Sequence, residues 1–429
     1  MKELIEPSTL VRVPEPPARP AEATYDTIVI GAGMSGLAAG IRLAHFDQRV
    51  CILERHSVIG GLNSYYRRHG RQYDVGLHAL TNYAPKGAKR GPLPKLLRQL
   101  RISWDELRLF PQIESAVAFP GITLPFNNDF EFLLSEVRRH FPRQVDNLRR
   151  LVGMLHGYDE SADVMPPRSA REVVAGVVDD PLLVEMLFCP TLFYGGSQEH
   201  DIDFLHFSIL FRSIFLEGFG RPAAGVRTIL KRLLEKFRDL GGELRLRTGV
   251  RQIVARGERV ESVVLDDGSE LRCRNVLSSA GLPETMRLCG RRMGERDTAG
   301  RMTFVEAISL LDRSAADLGH HRTIVYYNDG PKFDYRKPHD AVDLRSGTIC
   351  APDNFAYGEP SAEHMIRVSC LANYDRWAAL SPHDYKHEKR RWHERIAESV
   401  VQFMPDFRPT VVEREMYTPV TIERFTGHD

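Results

Sequence analysis

The chain has 429 residues, room for about two or three domains, and its 42% hydrophobic and 27% charged content is that of a folded protein rather than a disordered chain, a collagen-like fibre or a disulfide miniprotein. With 58 basic and 57 acidic residues the net charge is +1, so no global field draws it to nucleic acid or to an anionic membrane, and any basic patch must be local. Six scattered cysteines (Cys51, Cys189, Cys273, Cys289, Cys350 and Cys370) form no CxxC and no pairing with histidine at zinc spacing, so the thiols read as reduced and no metal site is expected.

Residues 1–23 are rich in Pro and Glu, lack the apolar core of a secretory signal, and read as a flexible exposed arm. The longest apolar stretch, Ile28 to Leu43, is too short to span a bilayer and is broken by Gly31, Gly33, Gly36 and Gly40. It divides instead into a buried parallel strand, Thr27-Ile28-Val29-Ile30, the loop Gly31-Ala32-Gly33-Met34-Ser35-Gly36, and a helix from Leu37 onward with a small-residue face. A second strand, Arg49 to Glu54, ends in an acid. This βαβ unit carries GxGxxG in its proper place: Gly31 for the tight turn, Gly33 for close approach of a pyrophosphate, Gly36 for helix-on-strand packing, and Glu54 for an adenosine ribose diol. The unit reads as a dinucleotide site that disfavours a 2′-phosphate. A further glycine pair, Gly60-Gly61, and the run Tyr73-Asp74-Val75-Gly76-Leu77-His78 favour a flavin dinucleotide, whose longer body needs a second close approach of backbone.

At these residues the chain resembles the large superfamily of FAD-dependent oxidoreductases that includes amine oxidases, and within it the branch of phytoene desaturases, carotenoid isomerases and retinol saturases. The segment Gly218 to Gly225 is similar to that branch's Pro-x-Gly-Gly, with Ala224 where the first paired glycine is usual, and Thr418 to Asp429 is similar to its late signature. The resemblance implies an α/β fold: a Rossmann-like, three-layer FAD-binding domain from residues 24–85 and 222–290, interleaved with an α+β substrate domain from 86–221 and 291–429. It also implies that a later flavin-closing segment of the family is absent from this chain. The cofactor-binding set expected on this basis is Gly31, Ala32, Gly33, Met34, Ser35, Gly36, Glu54, Arg55, Gly60, Gly61, Leu62, Gly76, Leu77 and Val250, with Val250 holding the adenine through its backbone.

Further along the chain, the spacing predicts an amphipathic helix from Val226 to Leu240 stopped by Gly241-Gly242, strands at Glu243–Arg247 and Val250–Val254, a hairpin from Val260 to Arg274 turned at Asp266-Asp267-Gly268, and a strand returning to Gly281. Ile202 to Phe219 is apolar on nearly all sides. By pattern alone it is a core helix, whereas the family's isoprenoid substrates make it a candidate wall for a greasy tunnel. Pro92 to Ile102 suits either a surface helix or an interfacial one.

No nucleophile elbow, zinc motif or P-loop is present. Flavin chemistry asks little of side chains, and the one catalytic candidate is His78, with weaker claims for Tyr194, His200 and His206; Glu114, Asp129, Asp201 and Asp203 read as solvated or capping carboxylates. The expected activity is FAD-dependent desaturation, saturation or isomerisation of a long apolar isoprenoid by hydride exchange at flavin N5. The alternatives are a flavin amine oxidase and a non-catalytic prenyl carrier like the Rab GDP-dissociation inhibitors, which resemble the same fold. The expected location is cytoplasmic, with peripheral membrane contact and no nucleic-acid partner.

Overall fold

The computed structural model describes residues 24–427 apart from 77, 158–166, 197, 292–299, 301 and 360–363. The expected arm at 1–23, the expected cofactor contact Leu77 and the last two residues of the late signature therefore lie outside the described residues.

The β-branched run after Thr24 forms β1 (Tyr25–Ile30), and the apolar tetrapeptide before Glu54 forms β2 (Val50–Leu53). A hairpin of β3 (Tyr65–Arg68) and β4 (Arg71–Asp74) follows, then β5 (Leu109–Pro111), β6 (Ser115–Phe119) and β7 (Ile122–Phe126). After a helical stretch the chain resumes with β8 (Gly220–Pro222), β9 (Glu243–Arg245), β10 (Val250–Arg256), β11 (Arg259–Leu265) and β12 (Glu270–Ser278). The last group is β13 (Thr303–Leu311), β14 (Ile324–Asn328), β15 (Ser346–Cys350), β16 (His364–Ala372) and β17 (Val411–Tyr417).

Two large sheets take in thirteen of these strands, and β3-β4 and β5-β8 form separate antiparallel pairs. The first runs β10-β11-β12-β1-β2-β9, with β12, β1, β2 and β9 parallel and the β10–β11 hairpin antiparallel at one edge. The helix Met34–Ala44 lies on it, close enough that a Cβ on Gly40 would stand 2.8 Å from the Ile52 side chain. Ile28, Val29, Leu37, Ile41 and Ile52 are fully buried there, each contributing about 1.5–3 kcal/mol by leaving water. The helix Val226–Asp239 packs beside it, and Gly241, at φ +78°, ends that helix as the sequence indicates.

The second sheet runs β17-β13-β16-β15-β14-β6-β7 and is antiparallel except for β14 against β6. Period-two alternation serves two cores: Ile324 and Tyr326 face one, Val325 and Tyr327 the other. Trp377, Trp392 and Ile396 cover the second face. The first face is covered by helices that include Pro181–Gly195 and Phe204–Phe211.

This packing divides the apolar stretch Ile202 to Phe219. Phe207, Phe211, Ile214, Phe215 and Phe219 are fully buried, with ring pairs such as Phe188–Phe207 and Phe211–Phe215 at 4.8 and 4.9 Å. These rings make one side of the stretch core, whereas Leu205, Leu210 and Leu216 are half-buried and Ile209 is 40% exposed. The helix Pro92–Leu100 likewise spends its apolar face, Leu93, Leu97 and Leu100, on the interior. Among the described residues no helix is long and apolar enough to cross a membrane.

Candidate functional site

The carboxyl ends of β1 and β2 open onto a cradle built of backbone. Gly31 turns the chain at φ +97°, and a Cβ there would meet Ser279 Oγ at 2.7 Å; one on Gly36 would lie 2.0 Å from the Gly31 oxygen. Both positions therefore admit only glycine. Gly33 differs: nothing stands within 4 Å of where its Cβ would be. It occupies the N-cap of the helix Met34–Ala44, without any side-chain cap, and the first helical bond runs from the Leu37 amide to the Gly33 oxygen at 3.0 Å. The amides of Met34, Ser35 and Gly36 thus have no helical acceptor, and the positive end of the helix faces the open side. The second glycine pair closes the opposite wall. Gly60 bridges to Gly33, its amide donates to the Ala32 oxygen at 2.9 Å, and a Cβ on Gly61 would touch Gly33 Cα at 3.5 Å. A pocket of amides that side chains leave empty is suited to a pyrophosphate.

Glu54 stands at the tip of β2. Its Oε2 accepts from the Ala32 amide and its Oε1 from the His56 amide, each at 2.8 Å. Those bonds fix the carboxylate beside the glycine loop and leave a lone pair on each oxygen for a diol. The Thr248 amide donates to the Glu54 carbonyl at 2.9 Å, which brings Val250, two residues on, to the same rim. Arg55 is exposed, with no acidic partner among the described residues, and its guanidinium lies against Gly427. The helix Pro419–Thr426 sits alongside, Phe425 meeting the His56 ring edge-on at 5.5 Å. Leu62 is 47% exposed, and Gly76, at φ +75°, presses on its carbonyl. The expected residues other than Leu77 are thus joined along one rim at the carboxyl ends of parallel strands, where ligands of such sheets bind.

Beyond Gly76 lies a buried ionic cluster. Asp74 Oδ2 accepts from Arg221 Nη2 and from the Val226 amide, both at 3.2 Å, while Arg227 Nη1 is 3.1 Å from Oδ1. Arg367 grips Glu306 through two nitrogens and donates to the Asp74 carbonyl at 2.9 Å. Gly225 is pressed so close that a Cβ would fall 1.8 Å from Asp74 Oδ2, whereas Ala224 beside it is exposed, which is why alanine serves there in place of glycine. Burial pushes the Glu306 carboxyl above its usual range while Arg367 draws it down.

His78 closes this cluster. Arg221 Nη1 donates to its carbonyl at 2.9 Å, and its Nε2 lies 3.2 Å from Ser369 Oγ and 3.6 Å from Glu306. Its Nδ1 is buried without a hydrogen-bond partner. Burial, then the neighbouring Arg367 and Arg221, hold the imidazole well below its usual value, so the ring is neutral. Of the weaker candidates, Tyr194 stacks on Phe219, His200 lies 3.4 Å from Asp334 and His206 is exposed, and of the carboxylates read as solvated or capping, Asp129 and Asp203 cap helices, Asp201 holds Ser169 and the Arg171 amide, and Glu114 pairs with Arg322.

Asp74, Arg221, Arg227, Glu306 and Arg367 were not singled out from the sequence as site residues. Asp74 and Arg221 stand inside segments noted for their glycines. Glu306 and Arg367 did carry a signal, a lone charge within an otherwise apolar strand.

Residues 34–419 match the family model described as flavin containing amine oxidoreductase. The chloroplastic prolycopene isomerase of Arabidopsis thaliana is 22% identical over 95% of this chain and 74% of its own length. The lycopene-forming phytoene desaturase of Pantoea ananas is 23% identical over 92% and 85% respectively. Among solved structures, an oxidoreductase from Methanosarcina mazei superposes with a TM-score of 0.63 at 19% identity, covering 91% of this chain and 87% of that one.

Proposed function

The chain belongs to the family of flavin containing amine oxidoreductases, and on that footing we propose that it is an FAD-dependent enzyme that desaturates, saturates or isomerises a long apolar isoprenoid of the carotenoid kind. The observation that carries the reading is the glycine cradle with its one open face at Gly33, flanked by Glu54. Its relatives point the same way, being named for prolycopene isomerisation and phytoene desaturation and matching nearly the whole chain.

FAD, when bound, supplies an acceptor or donor of hydride at N5. The amides of Met34, Ser35 and Gly36 would hold its pyrophosphate, with Gly31, Ala32 and Gly33 beneath. Glu54 would take the ribose diol, with Arg55 alongside, and the Val250 backbone the adenine. Gly60, Gly61, Leu62 and Gly76 would flank the remainder. In this reading residues 24–85 and 222–290 form the FAD-binding domain, and 86–221 with 291–429 the substrate domain. Phe193, Tyr194, Met302 and Phe304, partly buried on the edge of the first core, are apolar surface available to a polyene. His78 is the catalytic candidate: Arg221 holds its backbone carbonyl, Ser369 lies against Nε2 of its neutral ring, and the unpartnered Nδ1 is the nitrogen that would exchange a proton.

The test is to incubate oxidised and reduced holoenzyme anaerobically with a carotenoid in detergent micelles, or with aliphatic amines, and to follow both the flavin spectrum and the chromatographed products. Polyene conversion in at least one redox state, with no response to amines, is expected. Flavin reduction by amines alone would replace the reading with an amine oxidase, and binding of polyene without conversion would replace it with a carrier.

A further inference from the structure

We propose that Glu306 is a positioning residue for His78: it keeps the imidazole proton on Nε2, which leaves Nδ1 bare and makes the ring a base. The inference rests on the reading of His78 as the proton-exchanging residue and deepens it, for it says which way the proton moves. The resting site takes a proton from the substrate and has none to supply.

Three strands bring charged or polar groups to the ring: Glu306 from β13, Arg367 and Ser369 from β16, and Arg221, itself held by Asp74, from β8. Nε2 lies 3.2 Å from Ser369 Oγ and 3.6 Å from a Glu306 oxygen. Arg367 donates to both oxygens of that carboxylate, and because a guanidinium is always charged the pair keeps Glu306 ionised. Arg367 is 1% exposed, so it cannot exchange the carboxylate for solvent.

Two neutral tautomers compete. With the proton on Nδ1, the Nε2 lone pair would point toward a carboxylate with no proton between them, and Nδ1–H would be a buried donor without an acceptor. With the proton on Nε2, Ser369 Oγ accepts it and the carboxylate stabilises its positive end. A hydroxyl can serve either tautomer, as donor or as acceptor, so Ser369 does not choose; an ionised carboxylate only accepts, so Glu306 does.

The direction of transfer follows. Donation by the ring would require it to start as imidazolium, which burial, Arg367 and Arg221 oppose. Acceptance starts from the neutral ring, and the charge that develops lies beside Glu306. In desaturation the proton of one substrate C–H moves to Nδ1, and the electron pair left behind becomes the new double bond as hydride departs from the next carbon to oxidised flavin.

The experiment is heteronuclear NMR of the FAD-loaded full chain with its 16 histidines labelled at the ring nitrogens, His78 being identified by the signals that vanish in His78→Gln. At about pH 7 the expected spectrum has Nε2 protonated and Nδ1 bare. Glu306→Gln should move the proton wholly or partly to Nδ1. Because opening a buried ion pair can unfold a chain, Glu306→Gln is also made with Arg367→Met, which removes both charges together. That double variant should show the same shift and lower kcat by about 10²-fold with KM held. Adding His78→Ala to it should cost nothing further, because the two changes disable one base. The spectrum is read without turnover, so a parent that converts no polyene strikes the proposed activity, whereas a proton on Nδ1 of the parent strikes this inference alone. An unchanged tautomer in the folded double variant would also overturn it.

Discussion

Arg367, on β16, donates to the backbone oxygen of Asp74 at 2.9 Å while gripping Glu306 on β13, so the antiparallel sheet is bonded directly to the hairpin that leads away from the glycine cradle. Asp74 passes the connection on through Arg221 and the Val226 amide to the start of the helix Val226–Asp239. One buried carboxylate thus ties together two stretches of chain that lie some 150 residues apart, 152 by the Val226 bond.

Arg367→Ala should cost about 3–5 kcal/mol in urea unfolding, because it leaves the buried Glu306 without its counter-charge. Replacing both partners, Arg367→Met with Glu306→Gln, should cost less than the single change. Equal losses would mean that the pair is not coupled as its geometry indicates.

Glu54→Gln keeps an acceptor for one backbone amide but removes the charge facing the ribose. FAD affinity of the apoprotein should fall by about 1–3 kcal/mol in a fluorescence titration. An unchanged affinity would remove Glu54 from the ribose site.

His78→Ala should lower turnover by about 10²–10⁴ if the ring moves a proton, with FAD binding retained. Because burial and two arginines keep the ring neutral, the parent's rate should show no His78 titration between about pH 6 and 8. A variant as active as the parent would leave His78 a purely structural residue.

Acid should unfold the protein partly through His320, which is 4% exposed and lowered to about 4 by burial and then by Arg322. A depressed folded value means that the neutral ring is the folded form. Its contribution is intact above the unfolded value near 6.5 and is lost as pH falls to about 4, up to roughly 3 kcal/mol. Burial depresses His78 and His393 as well, with the same sign. Urea titrations at both ends of this window should show a smaller loss for His320→Gln than for the parent.

The parallel sheet and its cradle were legible because local chemistry dictates them: a β-branched run, three glycines with separate steric duties, an acid closing the second strand. The tie between Asp74 and Gly225 was visible only as two glycine-bearing motifs, since sequence does not say that distant motifs touch. The Ile202–Phe219 stretch shows the reverse limit, for an apolar surface reads the same whether protein or ligand covers it. Arg367 and Glu306 could have been found by the rule that a lone charge in a buried strand needs a partner.

The central claim is tested most directly at Gly33, by comparing FAD titrations of the parent and of Gly33→Ala alongside their thermal unfolding. The position has φ −67° and open space before it, so the methyl should leave apoprotein stability within about 0.5 kcal/mol of the parent's while abolishing tight FAD binding. If Gly33→Ala binds FAD as the parent does, or the folded parent takes up no FAD at all, the cradle is not the cofactor site.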